Sequence, residues 1–303
     1  MAGTMWDAWT ARVTAGDVLT DDELQQAAAS PDILALGMLA DAARRAMRGR
    51  TVTYLRVATL APEGPADAVA EGAAIAAAGE VRLSGAYPGR TAAEAQLAGA
   101  RALVGGGRSL VAWSLAEIEE ASEGPLAEVL RGLRAAGLDA VAEVPVDRLA
   151  SPTAAVAALA NGGLTSIRLT VEKASGDARL PMITALRTAA AAGPVTAVHP
   201  LPLTLNPFRP TTGYDDVRTV ALARLALPAA IAIQVDWPRY GPKLAQVALT
   251  FGADDLYGAP AVDATPDGPR RGALLEVRRN IEAAGFEAVE RDAHFAPRVS
   301  SAR

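Results

Sequence analysis

TVTYLRVATLAPEGPADAVAEG, residues Thr51–Gly72, is the stretch that decides the fold. Thr51–Leu60 is rich in Thr, Val, Leu and Tyr and reads as a strand. Ala61-Pro62-Glu63-Gly64-Pro65 breaks it, and an Ala-rich helical run, Ala66–Ala78, follows. A doubly wound nucleotide-binding sheet would place G-x-G-x-x-G after its first strand, and this turn carries no such glycines. The same strand-then-helix unit recurs downstream. Further strands are expected at Val81–Gly85, Ser109–Ser114, Asp139–Val144, Thr165–Val171, Val195–Pro200, Ile231–Asp236 and Asp254–Gly258. Helices are expected at Ala92–Val104, Leu115–Ala136, Thr153–Ala160, Leu180–Ala192, Asp215–Leu227 and Pro242–Phe251. Alternation of this kind predicts an α/β fold, a (βα)8 TIM-type barrel or a partial barrel.

The barrel should occupy 51–258. Before it, 1–50 reads as a helical segment. Thr20-Asp21-Asp22-Glu23 is a capping box, and a second helix from Ser30-Pro31-Asp32 ends at Gly49 after Arg44, Arg45 and Arg48. Met5, Trp6 and Trp9 should pack on the body. After the barrel, 259–303 reads as an extension, with a helix (Gly272–Ala284), a strand (Phe286–Arg291) and a loose tail (Ala296–Arg303). Nothing in 1–303 is linker-like enough to divide it, so one domain is expected.

Composition narrows the chemistry. The 303 residues include no cysteine, which removes disulfides, zinc ribbons, thiol nucleophiles and cysteine-held iron–sulfur clusters together. A net charge of -5 speaks against a nucleic-acid or anionic-membrane surface. Asp7 stands where a signal peptide would be basic or apolar, and charges interrupt every Ala-rich window. A cytoplasmic protein without nucleic-acid or membrane partners is expected. His199 and His294 are too far apart in sequence to suggest a metal site, and no metal or cofactor is expected. Asp254-Asp255 reads as a strand cap paired with Lys243 or an arginine, and Gly105-Gly106-Gly107 as a tight turn.

Strand alternation indicates what fills the barrel. Ile167, Leu169 and Val171 oppose Ser166, Arg168 and Thr170; Val81 and Leu83 oppose Arg82 and Ser84; Ile231, Ile233 and Val235 oppose Gln234 and Asp236. One register of the first strand adds Tyr54 and Arg56, the fourth strand offers Glu143, and the sixth ends in His199. The lumen therefore collects Tyr54, Arg56, Arg82, Ser84, Arg168, Thr170, His199, Gln234 and Asp236, with Glu143 beside them. Burying such groups costs several kcal/mol each, on the order of the known desolvation penalties, unless they are paired or wetted. Two readings follow. Either Arg side chains neutralise Glu143 and Asp236 in a closed ionic network, or a polar cavity takes an anionic small molecule.

Several stretches carry a family likeness. LTDDELQQAAASPDILALGMLADAARRAMRGRTVTYL (Leu19–Leu55), EVRLSGAYPG (Glu80–Gly89), VAWSLAEIEEASEGPLAEVLRGLRAAGLD (Val111–Asp139) and above all Val198–Gly258, with VHPLPLTL, TTGYDDVRTVALARLAL and YGPKLAQVALTFGADDLYG, are the residues concerned. The chain resembles the radical S-adenosylmethionine enzymes of the futalosine route to menaquinone, the aminofutalosine synthase, futalosine cyclase and deazaflavin synthase group. The resemblance implies a radical-SAM-type barrel. It also implies a C-x3-C-x2-C loop for a [4Fe–4S] cluster after the first strand, where this chain reads Ala61–Gly72 and the loop looks shortened. The expected Gly-Gly pair after the second strand reads Ser84-Gly85, and the Gly-rich turn after the fourth reads Glu143-Val144-Pro145-Val146-Asp147. Without three thiolates, radical initiation has no cluster to start from.

Three functions stay open on these grounds. The first is a non-catalytic homologue that binds a carboxylated molecule in the barrel, or serves as partner subunit of an active menaquinone-pathway enzyme or of its own copy. The second is a cluster-independent lyase or hydrolase with His199, Glu143 and Asp236 as acid/base groups. The third is a salt-bridged scaffold without ligand.

Overall fold

A computed structural model describes residues 2–62, 68–173, 178–204, 208, 211–262 and 274–298. Eight parallel strands close into a barrel: β1 (Thr51–Leu60), β2 (Glu80–Leu83), β3 (Ser109–Ser114), β4 (Ala140–Pro145), β5 (Ile167–Val171), β6 (Val195–Pro202), β7 (Ala232–Asp236) and β8 (Asp255–Pro260), with β8 and β2 both pairing to β1. The apolar outer faces of β2, β5 and β7 lie under helices: Val81 and Leu83 on β2, Ile167, Leu169 and Val171 on β5, Ile233 and Val235 on β7 are buried in the core. The TIM-type barrel expected from the alternation is therefore closed, not partial.

Around it run α4 (Ala68–Ala77), α5 (Arg90–Val104), α6 (Leu115–Ala121), α7 (Leu126–Ala135), α8 (Pro152–Asn161), α9 (Arg179–Ala190), α10 (Gly213–Ala226), α11 (Trp237–Leu249) and α12 (Leu274–Ala283). The single helix expected over Leu115–Ala136 is two, because Gly124 adopts φ 99° and Pro125 caps the second. α11 starts before Pro242 and is broken at Gly241, φ 72°. The expected starts at Ala66 and Gly272 lie outside the described residues. α2 (Asp21–Ala29) has the full capping box of Thr20 and Glu23, and α3 (Ile33–Arg48) ends at Gly49 as expected. α1 (Ala2–Thr14) opens the helical segment expected over 1–50, and on it Trp9 is buried and meets Trp6 edge-on. No helix among the described residues is long and apolar enough to cross a membrane.

The C-terminal extension is part of the barrel wall. β2 pairs only with Val57–Leu60, which leaves the first half of β1 free on that edge. β9 (Glu287–Arg291) takes this edge, pairing in parallel with Thr51–Leu55. Gly79 sits at the junction, where a Cβ would stand 2.7 Å from Leu55 Cδ1 and 2.9 Å from the Arg291 carbonyl oxygen. The chain then turns beneath the barrel, tied by a bridge from Arg291 to Pro297 and a 2.8 Å bond from the Arg298 N–H to the Glu290 carbonyl. The loose tail expected from Ala296 is thus ordered through Arg298, and 299–303 lie outside the described residues.

β9 brings Arg291 into the base of the lumen. Its guanidinium donates to both Asp255 carboxylate oxygens, at 2.5 and 2.7 Å, and both side chains are buried. Gln234 Nε2 and Thr53 Oγ1 complete the carboxylate's hydrogen bonds. Arg291→Met leaves Asp255 charged and without a counterion. We expect about 3–5 kcal/mol lost from unfolding free energy in urea titrations, while Arg291→Met/Asp255→Leu recovers part of it.

Candidate functional site

The lumen has three levels. At its base lie Asp255, Arg291, Gln234 and Thr53, with the Phe295 ring 3.8 Å from the Arg291 guanidinium and closing the N-terminal mouth. A cavity of about 30 Å³ is left here, bounded by Leu55, Gln234, Arg168 and Phe295. Above it, the Tyr257 hydroxyl donates to Glu80, and the Arg168 guanidinium stacks 3.7 Å over the Tyr257 ring while donating to the Ala142 carbonyl. Higher still, Arg82 Nη2 donates to Glu143 Oε1 at 2.6 Å. Thr59, Ser84 and Arg239 lie at the C-terminal rim, where Ser84 Oγ bonds back to the Leu60 carbonyl at 3.2 Å.

Two expected lumen residues lie elsewhere. Thr53 and Leu55 are the inward residues of β1, so Tyr54 and Arg56 face the outer side. There Tyr54 meets Glu290 of β9, and Arg56 bonds Glu290 at 3.1 Å and the Ala77 carbonyl at the end of α4. The parity of β1 is the physical reason: neighbouring residues of a strand point to opposite faces. Arg298 and Arg108 also cap the last carbonyls of α4, so this arginine cluster serves a helix C-terminus.

Arg82, Arg168, Gln234 and Glu143 do converge in the lumen. His199 is buried between them, its Nδ1 3.0 Å from the Gln234 carbonyl. A carbonyl only accepts, so Nδ1 carries the proton and Nε2 the lone pair. Burial pushes the imidazole down to about 4, against a smaller upward pull from Asp236, so it is neutral at pH 7. Among the described residues His199 hydrogen-bonds neither Glu143 nor Asp236. Asp236 caps α11, accepting the Arg239 N–H at 2.9 Å. Burial raises Glu143, but the charge and hydrogen bond of Arg82, with Arg168 and Arg239 behind them, hold it below the ordinary carboxyl range. An acid/base triad of His199, Glu143 and Asp236 is therefore not assembled: one member is a neutral acceptor, one is locked in an ion pair and one caps a helix.

Lumen residues that escape the sequence reading include Thr53, Glu80, Asp255, Tyr257 and Arg291. Alternation on β8 would have found two of them, since Asp255 and Tyr257 oppose Leu256. Asp254 points outward to Arg48 and Arg224, so the aspartate pair meets arginines and not Lys243. Several buried polar atoms keep no hydrogen-bond partner: Thr170 Oγ1, His199 Nε2 and Gln234 Oε1 on adjacent strands, and Trp113 Nε1 and Ser114 Oγ at the end of β3. Trp113 there has φ 48°, rare for a residue with a side chain.

The connection after β1 suits an iron–sulfur cluster poorly. The sequence supplies no thiolate, and Pro62 packs so that a Cβ on Gly85 would come within 3.3 Å of its ring. Residues 63–67 of that loop, including the expected shortening, lie outside the described residues. After β4, the Asp147 carboxylate accepts the N–H groups of Glu172 and Lys173 at 2.7 Å each, clamping the turn to the end of β5. Among the described residues no three His, Asp or Glu side chains are grouped to hold a metal ion.

No protein-family model matches the chain. It is similar to aminodeoxyfutalosine synthase of Thermus thermophilus, 31% identical over 227 residues, which cover 62% of this chain and 60% of that protein. It is also similar to 5-amino-6-(D-ribitylamino)uracil–L-tyrosine 4-hydroxyphenyl transferase 2 of Methanosarcina barkeri, 38% identical over 88 residues, or 27% of this chain and 23% of that one. The chain thus spans between about a quarter and three-fifths of the length of these curated relatives. Among solved structures, methylornithine synthase (PylB) superposes with a TM-score of 0.67 at 14% identity, covering 92% of this chain and 97% of that one. The FeFe-hydrogenase maturase HydG from Carboxydothermus hydrogenoformans gives 0.64 at 12%, covering 97% and 81%. At these identities the structures share the fold.

The Arg82–Glu143 pair sets an acid limb. Because Glu143 is lowered on folding, its contribution is complete above the unfolded carboxyl value of about 4.3 and disappears as pH falls through the folded value. The pair is partly open to solvent, so Arg82→Met should cost about 1–2 kcal/mol at pH 7. That gap should narrow in stability–pH curves of the two proteins as pH falls below the unfolded carboxyl value of about 4.3 and Glu143 takes up its proton.

Proposed function

We propose that this chain is a non-catalytic homologue of the radical S-adenosylmethionine enzymes of the futalosine route, acting in the cytoplasm to hold a small carboxylated molecule in its barrel. The likeness to aminodeoxyfutalosine synthase supports the lineage. The absence of cysteine supports the loss of radical chemistry.

Arg168 is the observation that carries the binding reading. In a closed ionic scaffold every lumen arginine would meet a carboxylate. Arg82 meets Glu143 and Arg291 meets Asp255, but Arg168 forms no ion pair among the described residues. A guanidinium held by one carbonyl and one aromatic face keeps donors for a carboxylate's two oxygens. Thr170 Oγ1 and His199 Nε2 are partnerless polar atoms on the same and the next strand. They can orient a ligand once the rim side chains part.

A second reading, partner subunit of an active enzyme, is favoured by a different observation. Leu34 on α3, Tyr214 on α10 and Val247 on α11 are exposed apolar side chains around one groove, with Leu34 70% and Tyr214 73% accessible.

Isothermal titration with benzoate and with aminofutalosine-type carboxylates tests the first reading. Binding is expected, weakened at least ~10-fold by Arg168→Ala, the loss of about one charge-assisted hydrogen-bond pair. A folded protein that takes up no carboxylate overturns it.

A further inference from the structure

A second basic feature lies outside the lumen. A groove of about 590 Å³ opens at the C-terminal ends of β7 and β8, walled by Arg239, Tyr240, Gly241, Pro242 and Lys243 of α11 and by Gly258 and Pro260 of β8. Among the described residues its walls include two cations and no carboxylate. Asp236, the nearest acid in sequence, spends one oxygen on the Arg239 N–H.

The two cations differ in how far they are engaged. Arg239 donates one Nη to the Leu203 carbonyl and stands 3.9 Å from Asp236, which leaves its other Nη donor. Lys243 forms neither an ion pair nor a side-chain hydrogen bond among the described residues. The chain's basic residues are almost all arginine, and Lys243 and Lys173 are the only lysines in the sequence. The groove also has exposed backbone. Gly241 breaks α11 at φ 72°, and a Cβ built there meets no atom within 4 Å, so its main chain faces open space. Gly258, at φ 81°, packs so closely on the Pro238 ring that a Cβ would lie 2.9 Å from it, which fixes the opposite wall.

We propose that this groove binds the phosphate group of a small phosphorylated molecule. A phosphate monoester carries a charge of about -1.5 to -2 at pH 7 and presents three acceptor oxygens. One free ammonium and one part-free guanidinium match that charge, and a wall without carboxylates adds no repulsion. A carboxylate would use only half the positive charge here. The site is separate from the one at Arg168, and the two proposals stand or fall independently.

The two lysines make the test direct. The full chain is acylated with a lysine-specific reagent, with and without inorganic phosphate, and the two sites are quantified by mass spectrometry. Phosphate should slow modification of Lys243 at least ~5-fold while Lys173 reacts as before, and equal concentrations of acetate should protect Lys243 much less. Titration calorimetry of Lys243→Glu, a surface change compatible with folding, should show phosphate uptake weakened at least ~10-fold. Equal protection of both lysines, protection by acetate as strong as by phosphate, or unaltered phosphate uptake by Lys243→Glu overturns the proposal.

Discussion

The ion pair of Asp255 and Arg291 is the contact on which the rest of the lumen is built. Two fully buried opposite charges are costly to desolvate, and attraction alone rarely offsets that cost. Here each carboxylate oxygen accepts two hydrogen bonds, from Arg291, Thr53 and Gln234. Those donors come from β9, β1 and β7, so satisfying one carboxylate fixes the register of four strands including β8. It also explains why the C-terminal segment returns to the barrel: without β9 the charge at its centre has no counterion, and half of one edge of β1 has no partner.

From this base upward, charge is handled differently at each level. The lowest level is closed and neutral. The middle level balances Glu80 with a tyrosine hydroxyl and leaves Arg168 on an aromatic face. The upper level has an ion pair partly open to water. Electrostatic order therefore loosens toward the C-terminal rim, the end at which barrels of this type carry their sites. Burial also keeps His199 neutral, so this residue donates its Nδ1–H to the Gln234 carbonyl and offers an Nε2 lone pair, not a charge.

Much of this was legible in the sequence, for a physical reason. Parallel strands under helices must be apolar on their outer faces, so β2, β5 and β7 declared their inner faces by exclusion, and Arg82, Arg168 and Gln234 were assigned correctly. β1 was not, because it mixes Tyr, Arg and Thr on both faces. Its outer face is polar where β9 supplies Glu290, a partner 234 residues from Arg56. Alternation within one strand carries no information about such a neighbour. Arg291 escapes for the same reason, since it enters the lumen only once β9 is set beside β1, whereas Asp255 lay within reach of alternation on β8.

The comparison with the family resemblance turns on two short turns, not on the barrel as a whole. Where the resemblance calls for thiolates after β1, the chain brings a proline ring against Gly85. Where it calls for a glycine-rich turn after β4, Asp147 ties two backbone N–H groups of the next strand's end. At the second of these turns two backbone N–H groups are satisfied by the protein itself. Two free amides at a strand end can receive an anion, but amides already bonded to a carboxylate cannot do so without displacing it. The Glu172 and Lys173 amides are therefore closed to an anion, and at this end of the barrel that role falls to side chains. Arg168 in the lumen and Lys243 beside β8 form no ion pair with a carboxylate among the described residues and are cations that can take that role.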